Sequence, residues 1–365
     1  MPLAPVDDKG IALYYEDCGP PNGATPYTTL VVLHGPMYHG GIFSRMIPYA
    51  EQNNLRLILV NLRDYKNSTP YSAEELAKFS NFDKNVQAYV VREQGLQIAI
   101  LLAHLIDTLN LPPLVVSSDN KTDGGISLLA WGFSIYLASA LLAYASSFPA
   151  TIREKIDRYL KSVVFYSLNA PTVAFSPNPP KGLHFPLYDQ NIPFEQRKAA
   201  WERWLSSYFP PVHNLASVSL NALANRVALH DTEGVDVDPA KRPTIDKMTE
   251  EELRSVENDN VFENAALSLA QLDLSNLHSH VRRALGMKGE TDDLTPSLIW
   301  PRCKIVLAWS DMAQVDTILA SARLEKMILS SDCHRDGTIV KIEGANNFVH
   351  WDEPEKLVRV LAENI

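Results

Sequence analysis

Ser134 lies in Leu128-Leu-Ala-Trp-Gly132-Phe133-Ser134-Ile135-Tyr136, where an apolar run of strand length passes straight into the small-residue stretch Leu137-Ala-Ser-Ala-Leu-Leu-Ala-Tyr-Ala. A sharp strand-to-helix turn at that junction lifts a serine hydroxyl to the carboxyl edge of a sheet. It also aims the free N–H groups of the helix start, with Ile135 as the expected donor, at negative charge forming there. The chemistry implied is acyl transfer through a serine nucleophile, in a pocket flanked by Phe133 and Tyr136. Upstream, Val31-Val-Leu-His34-Gly35-Pro36-Met37 ends a strand before a glycine-containing loop, the arrangement of an oxyanion loop. Downstream, Asp311 follows the strand-like run Lys304–Trp309, and Glu343-Gly-Ala-Asn-Asn347-Phe-Val-His350-Trp-Asp-Glu-Pro354 follows the last one. Nucleophile, acid and post-strand loop thus come in triad order, and the expected catalytic set is Ser134, Asp311 and Asn347.

Each of these residues also has a plainer reading. Ser134 can simply fill a tight turn where only small side chains fit. Asp311 can cap the turn after its strand. His34 reads as a hydrogen-bonding residue behind the oxyanion loop, and His350 as a structural or pocket residue. His39, in Met37-Tyr38-His39-Gly40-Gly41, is the better alternative base because that loop is expected to face the pocket.

The elements needed to hold these residues are legible. Strand-like runs at Ile11–Glu16, Thr29–His34, Arg56–Asn61, Gly125–Ala130, Ser162–Tyr166, Lys304–Trp309 and Thr338–Glu343 alternate with helical stretches at Gly41–Gln52, Val86–Leu109, Ile135–Ser147, Thr151–Leu160, Asp316–Leu329 and Glu353–Ala362. That alternation predicts an α/β fold with a mostly parallel sheet covered by helices on both faces. From about residue 170 to residue 300 the pattern changes to a Pro-rich entry (Pro171, Pro177, Pro179, Pro180) followed by helices without a strand. The expected organisation is a core of residues 1–169 and 301–365 with a helical cap of residues 170–300 inserted in it. Trp201, Trp204, Leu205 and Tyr208 share one helical face at i, i+3, i+4 and i+7. Between Asp231 and Asn260, ten acidic and four basic residues precede and include the capping-box start Thr249-Glu-Glu-Glu252, which reads as a solvated loop entering a surface helix.

Composition limits the partners. The 365 residues are 46% hydrophobic and 21% charged with a formal charge of −10, and they contain no Lys/Arg block. Such a chain has no phosphate-neutralising footprint, so nucleic acid and anionic membrane are not expected partners. A small molecule is, and a homodimer is left open. Three widely spaced cysteines give neither a disulfide framework nor metal-ligand spacing. No signal-like or membrane-spanning run is seen, which predicts an intracellular, cytoplasmic protein. With no metal cluster, phosphate-cradling loop or dinucleotide fingerprint, no cofactor is expected.

Over nearly its whole length the sequence resembles the α/β-hydrolase fold superfamily, whose caps are inserted between the sixth and seventh strands. Tyr14-Tyr-Glu-Asp17, Arg63-Asp-Tyr65 and Gly344-Ala-Asn-x-Phe-Val-His-Trp-Asp-Glu-Pro354 are similar to segments of fungal hydrolase-like proteins, among them natural-product proteins of the lactone-forming vibralactone-cyclase type. In that family the residue before Phe348 is the triad histidine, whereas Asn347 cannot exchange a proton near neutral pH. Tyr136 stands where the G-x-S-x-G motif has glycine, and it is expected to strain or reshape the elbow. Pro36 stands where a backbone N–H commonly serves the oxyanion, and proline has none. These departures favour a non-hydrolytic cyclase or isomerase acting on a small apolar ester, lactone or carbonyl compound. The alternatives are a serine esterase or lactonase whose triad histidine is replaced by Asn347, and a non-catalytic small-molecule binding protein.

Overall fold

Among the residues described by the computed structural model (2–23, 25–116, 122–169, 185–186, 189–224, 226–232, 234, 236–258, 261, 267–269, 271–288 and 298–365), eight strands form one sheet. In chain order they are β1 Leu3–Pro5, β2 Ala12–Asp17, β3 Thr28–Leu33, β4 Leu55–Asn61, β5 Ile126–Trp131, β6 Leu160–Tyr166, β7 Lys304–Ser310 and β8 Gly337–Ile342. Across the sheet they run β1-β2-β4-β3-β5-β6-β7-β8. β2 is antiparallel to both neighbours, and every other pairing is parallel. The central strands are buried on both faces because their side chains alternate between two cores. Val31, Leu33, Leu128 and Ala130 face one, and Leu30, Val32, Leu129 and Trp131 face the other.

Among the described residues the α-helices of seven residues or more are α1 Ala73–Phe79, α2 Lys84–Leu109, α3 Ile135–Ala143, α4 Ala150–Asp157, α5 Phe194–Leu205, α6 Glu250–Val256, α7 Leu274–Ala284, α8 Val315–Ile328 and α9 Pro354–Asn364. Residues of α2, α3, α7 and α8 join the first core, and those of α9 the second. Gly95 of α2 lets α3 come close: a Cβ there would lie 2.8 Å from the Ala140 carbonyl carbon. The single helix expected over Gly41–Gln52 is instead a 3₁₀ turn Gly40–Met46, one α-turn Ile47–Ala50 and a second 3₁₀ turn Glu51–Asn53. Pro48 has no N–H to continue an i→i−4 ladder from the preceding turn, so it sits at the start of the α-turn.

No sheet strand occurs among the described residues between β6 and β7. The Pro-rich stretch expected to open this insert lies outside the described residues. α6 begins with the capping box read from the sequence: the Thr249 side chain accepts from Glu252 N–H, and Glu252 reaches back to Thr249 N–H. The aromatic face of α5 is divided. Trp201 and Leu205 pack toward one core and Trp204 toward the other, and the helix ends before Tyr208, whose hydroxyl donates to Asp352 Oδ2 at 2.8 Å. α7 packs on α3, the helix that follows β5. No helix among the described residues is long and apolar enough to cross a membrane.

Candidate active site

The turn between β5 and α3 has Gly132 at its apex. β5 pairs with β6 as far as Trp131 opposite Tyr166, Gly132 then adopts φ +58°, and a 3₁₀ turn Gly132–Ser134 leads into α3. A left-handed residue directly after the strand is what turns the chain, and glycine adopts it without a Cβ penalty. Space is open above it. The nearest neighbour of a Cβ placed on Gly132 would be Ser167 O at 3.8 Å.

Ser134 comes two residues later, with helical φ −62° and ψ −8°. Its side chain points back into the protein and is 2% exposed. Oγ donates toward Leu33 O at 3.2 Å and Trp131 O at 3.0 Å. The hydroxyl expected at the apex therefore ties the turn to β3, and the apex position carries no side chain. The Ile135 N–H is also committed, to the carbonyls of Gly132 and Phe133, so it is not the oxyanion donor expected from the sequence. The N–H groups left at the start of the turn belong to Gly132, Phe133 and Ser134.

Tyr136 does not crowd the elbow. With the apex at Gly132 it falls in the first turn of α3, where its hydroxyl donates to Gln94 Oε1 at 2.5 Å, and Gln94 Nε2 donates to Tyr71 at 2.7 Å. Phe133 lies against it, ring centroids 5.1 Å apart.

In the loop after β3, Gly35 approaches Trp131 so closely that a Cβ would lie 3.2 Å from the indole. Pro36 offers no N–H, and Met37 is held at φ +84°. His34 is fully buried. Its Nδ1 lies 2.7 Å from Gly35 O, and its Nε2 accepts the Leu62 N–H at 3.0 Å, which fixes the proton on Nδ1. Burial holds this imidazole down at about 3. His39 is not free to act as a base: Nδ1 accepts from Gly41 N–H at 3.1 Å and Nε2 donates to Ser255 O at 2.8 Å. It caps the 3₁₀ turn and fastens it to the end of α6.

Asp311 and Asn347 occupy consecutive loops that are stitched by backbone bonds, Asp311 N–H to Ile342 O and Met312 N–H to Ala345 O. The Asp311 carboxylate accepts from Ala345 N–H at 3.3 Å. The hydrogen bonds of the Asn347 amide nitrogen run to Gln314 Oε1 and, at 3.4 Å, to Thr317 Oγ1. Asn347 is thus tied to the start of α8, where Gln314 and Thr317 present acceptors. Asn347 Oδ1 is buried with no hydrogen-bond partner. His350 is enclosed by Phe43, Trp131, Phe348 and Tyr166, with ring centroids 4.4, 4.5, 5.5 and 5.9 Å away. Its Nδ1 lies 3.2 Å from the Tyr166 hydroxyl, and burial holds it down at about 3. It is a neutral core residue.

Two features were not read from the sequence. Glu202 of α5 is 6% exposed, and burial, only partly offset by Lys198 at 3.2 Å, pushes its carboxyl up to about 7. Lys198 also pairs with Glu257 at 3.3 Å, and both carboxylates act on the buried Tyr38 hydroxyl, which has no hydrogen-bond partner. Between α5 and the start of α8 there is also a cavity of about 450 Å³, lined by residues that include Trp204, Phe209, Arg226 and Val315. Neither Ser134 nor any other elbow residue lines it. No cluster of His, Cys, Asp and Glu able to hold a metal ion occurs among the described residues.

Neither a family model nor any curated protein matches the sequence. Solved structures do resemble it. The esterase EaEST from Exiguobacterium antarcticum superposes with a TM-score of 0.52 at 14% identity, over 98% of this chain and 96% of that one. Cfl2 from Burkholderia cenocepacia gives 0.51 at 12% identity, over 99% and 94%. A bromoperoxidase from Bacillus anthracis gives 0.46 at 12% identity, over 99% and 97%. At such identities the likeness is one of fold, and it extends over nearly the whole chain. With the strand order and the strand-to-helix elbow described above, the protein has the α/β-hydrolase fold.

Proposed function

We propose that this hydrolase-fold protein acts on a small, largely apolar ester, lactone or carbonyl compound beneath a helical cap without forming an acyl-enzyme. The conversion would be an isomerisation or an intramolecular ring closure. The observation that carries this reading is Gly132 at the elbow apex, where an acyl-enzyme needs a nucleophilic side chain. In an isomerisation the attacking and leaving groups both belong to the substrate, so neither a protein serine nor water is consumed. What the protein would supply at the elbow is the N–H of Phe133 at the start of the 3₁₀ turn, which can donate to a carbonyl oxygen that gains charge. The resemblance to lactone-forming fungal proteins supports ring closure as the particular case.

A second reading, binding without turnover, is favoured by the histidines. His34, His39 and His350 are engaged or enclosed, so none of these three imidazoles is free to move a proton at the elbow.

A fluorophosphonate probe followed by peptide mass spectrometry tests the shared premise, with no adduct expected. An adduct on Ser134 would restore the esterase reading and overturn this one. Conversion of a lactone or ester panel to products of equal mass then decides between catalysis and binding.

A further inference from the structure

The cavity between α5 and the start of α8 carries a charge that no described residue pairs with directly. Arg226, on its wall, donates from Nη1 to Ala313 O at 2.9 Å and from Nη2 to Pro210 O, and its guanidinium lies 5.5 Å from the Phe209 ring. These partners are carbonyls and a ring. Among the described residues no carboxylate comes within ion-pair distance of it, and Asp311 acts on it only at longer range. The other cation of the wall, Arg203, is compensated by Asp246 at 3.1 Å and Asp231 at 3.8 Å. Among the described residues of the wall, Arg226 is therefore the one positive charge without a paired carboxylate, and it stands among apolar and aromatic surfaces such as Trp204, Phe209, Leu223 and Val315. At about 450 Å³ it is in the size range of small-molecule sites.

From this juxtaposition we infer that the cavity is a second binding site, for a small monoanion with a flat apolar body, an aromatic or alicyclic carboxylate seated on Arg226. A carboxylate there gains a charge-assisted hydrogen bond beside walls that are largely apolar. A phosphate dianion is disfavoured, because its second charge would find no second unpaired cation among the described residues of the wall. The apolar body fills the space between Trp204 and Val315, and the two carbonyl bonds hold the guanidinium in place. The inference does not depend on the elbow, since none of its residues lines the cavity.

The test is titration of the full chain with naphthalene-2-carboxylate and with its neutral counterpart naphthalene-2-carboxamide, followed by calorimetry and tryptophan fluorescence. The carboxylate is expected to bind at least about 10-fold more tightly. Arg226→Gln should remove that preference, and Ala224→Trp, a bulky side chain at an exposed wall position, should weaken both ligands by about 10-fold or more. Equal binding of the two compounds, no binding of the carboxylate, or a preference that survives Arg226→Gln would overturn the inference. If Arg226→Gln does not fold, Ala224→Trp decides alone: carboxylate binding unchanged in the folded variant overturns it, and loss of binding supports it. Fluorophosphonate labelling of the same protein reports on the elbow separately, so the two readings fail independently.

Discussion

Restoring a nucleophile and a base together should create an esterase, and restoring either one alone should not. A Cβ on Gly132 meets nothing closer than 3.8 Å, so Gly132→Ser has no clash to overcome. Its cost is torsional: φ is +58°, and an L-residue in the left-handed region loses about 1–2 kcal/mol, or about 1–3 °C in Tm for a chain of this length. With Asn347 in place the new hydroxyl has no base, and Gly132→Ser should hydrolyse p-nitrophenyl acetate within about 10-fold of the parent. Asn347→His alone places an imaginable base with nothing to activate, because Ser134 is tied to Leu33 O and Trp131 O. A positioned general base contributes about 10²–10⁴-fold. A missing oxyanion donor, which Pro36 imposes, takes back about 10²–10³-fold. The double variant should therefore gain about 10²-fold at most, and adding Pro36→Gly should raise it further. Initial rates together with fluorophosphonate labelling at position 132 provide the assay. If Asn347→His by itself gives the full gain, with the label on Ser134, the placement of the apex at Gly132 is wrong.

Ser134→Ala should lower stability by only about 1 kcal/mol, the usual net value of a hydroxyl hydrogen bond, and should leave any equal-mass conversion intact; a complete loss of conversion in a folded variant would contradict this. Glu202 has its carboxyl raised from 4.5 to about 7, so the native state keeps a proton that the unfolded chain has released between those values. Stability should therefore fall as pH rises through that window, by up to about 3 kcal/mol, and Glu202→Gln should flatten the slope in urea titrations at about pH 5 and about pH 8. His350 shows the opposite sign, because its lowered value, about 3 against 6.5, means that the unfolded chain takes up a proton first as pH falls. It should contribute about 2 kcal/mol of destabilisation between neutral pH and about pH 5, a share that His350→Phe removes; an unchanged pH profile would refute it.

The sheet was legible because its strands are long apolar runs, and α2, α8 and α9 because their periodic faces extend over several turns. β1, three residues that follow Pro2 and end on Pro5, gives too short a signal, and α1, with a capping box of Ser72 and Glu75, is only two turns long. At the elbow the reading slipped by two residues for a physical reason. Ala130, Gly132 and Ser134 are all small, so steric requirements permit either register, and residue type favoured the serine. The choice is settled by the pairing of Trp131 with Tyr166 on β6, a contact between strands that local sequence does not encode. Tyr136 looked disruptive for the same reason, since its partner Gln94 is 42 positions away. The cavity with Arg226 draws its walls from segments scattered between residues 186 and 315, and no local pattern marks it.

The contact between Gly95 and Ala140 makes α2 a mechanical stop for the elbow. Helix α3 rests against a backbone with no side chain to yield, so the height of its first turn above the sheet is set from behind, by a residue far from any substrate. Gly95→Ala would have to push α3 outward, and because the helix moves as a rod, the turn at Gly132 would move with it. A displacement near 1 Å is enough to change rates by about 10²-fold in a positioned site. Gly95 is therefore a place from which the geometry of this elbow can be tuned, by selection or by design, without altering a residue of the elbow itself.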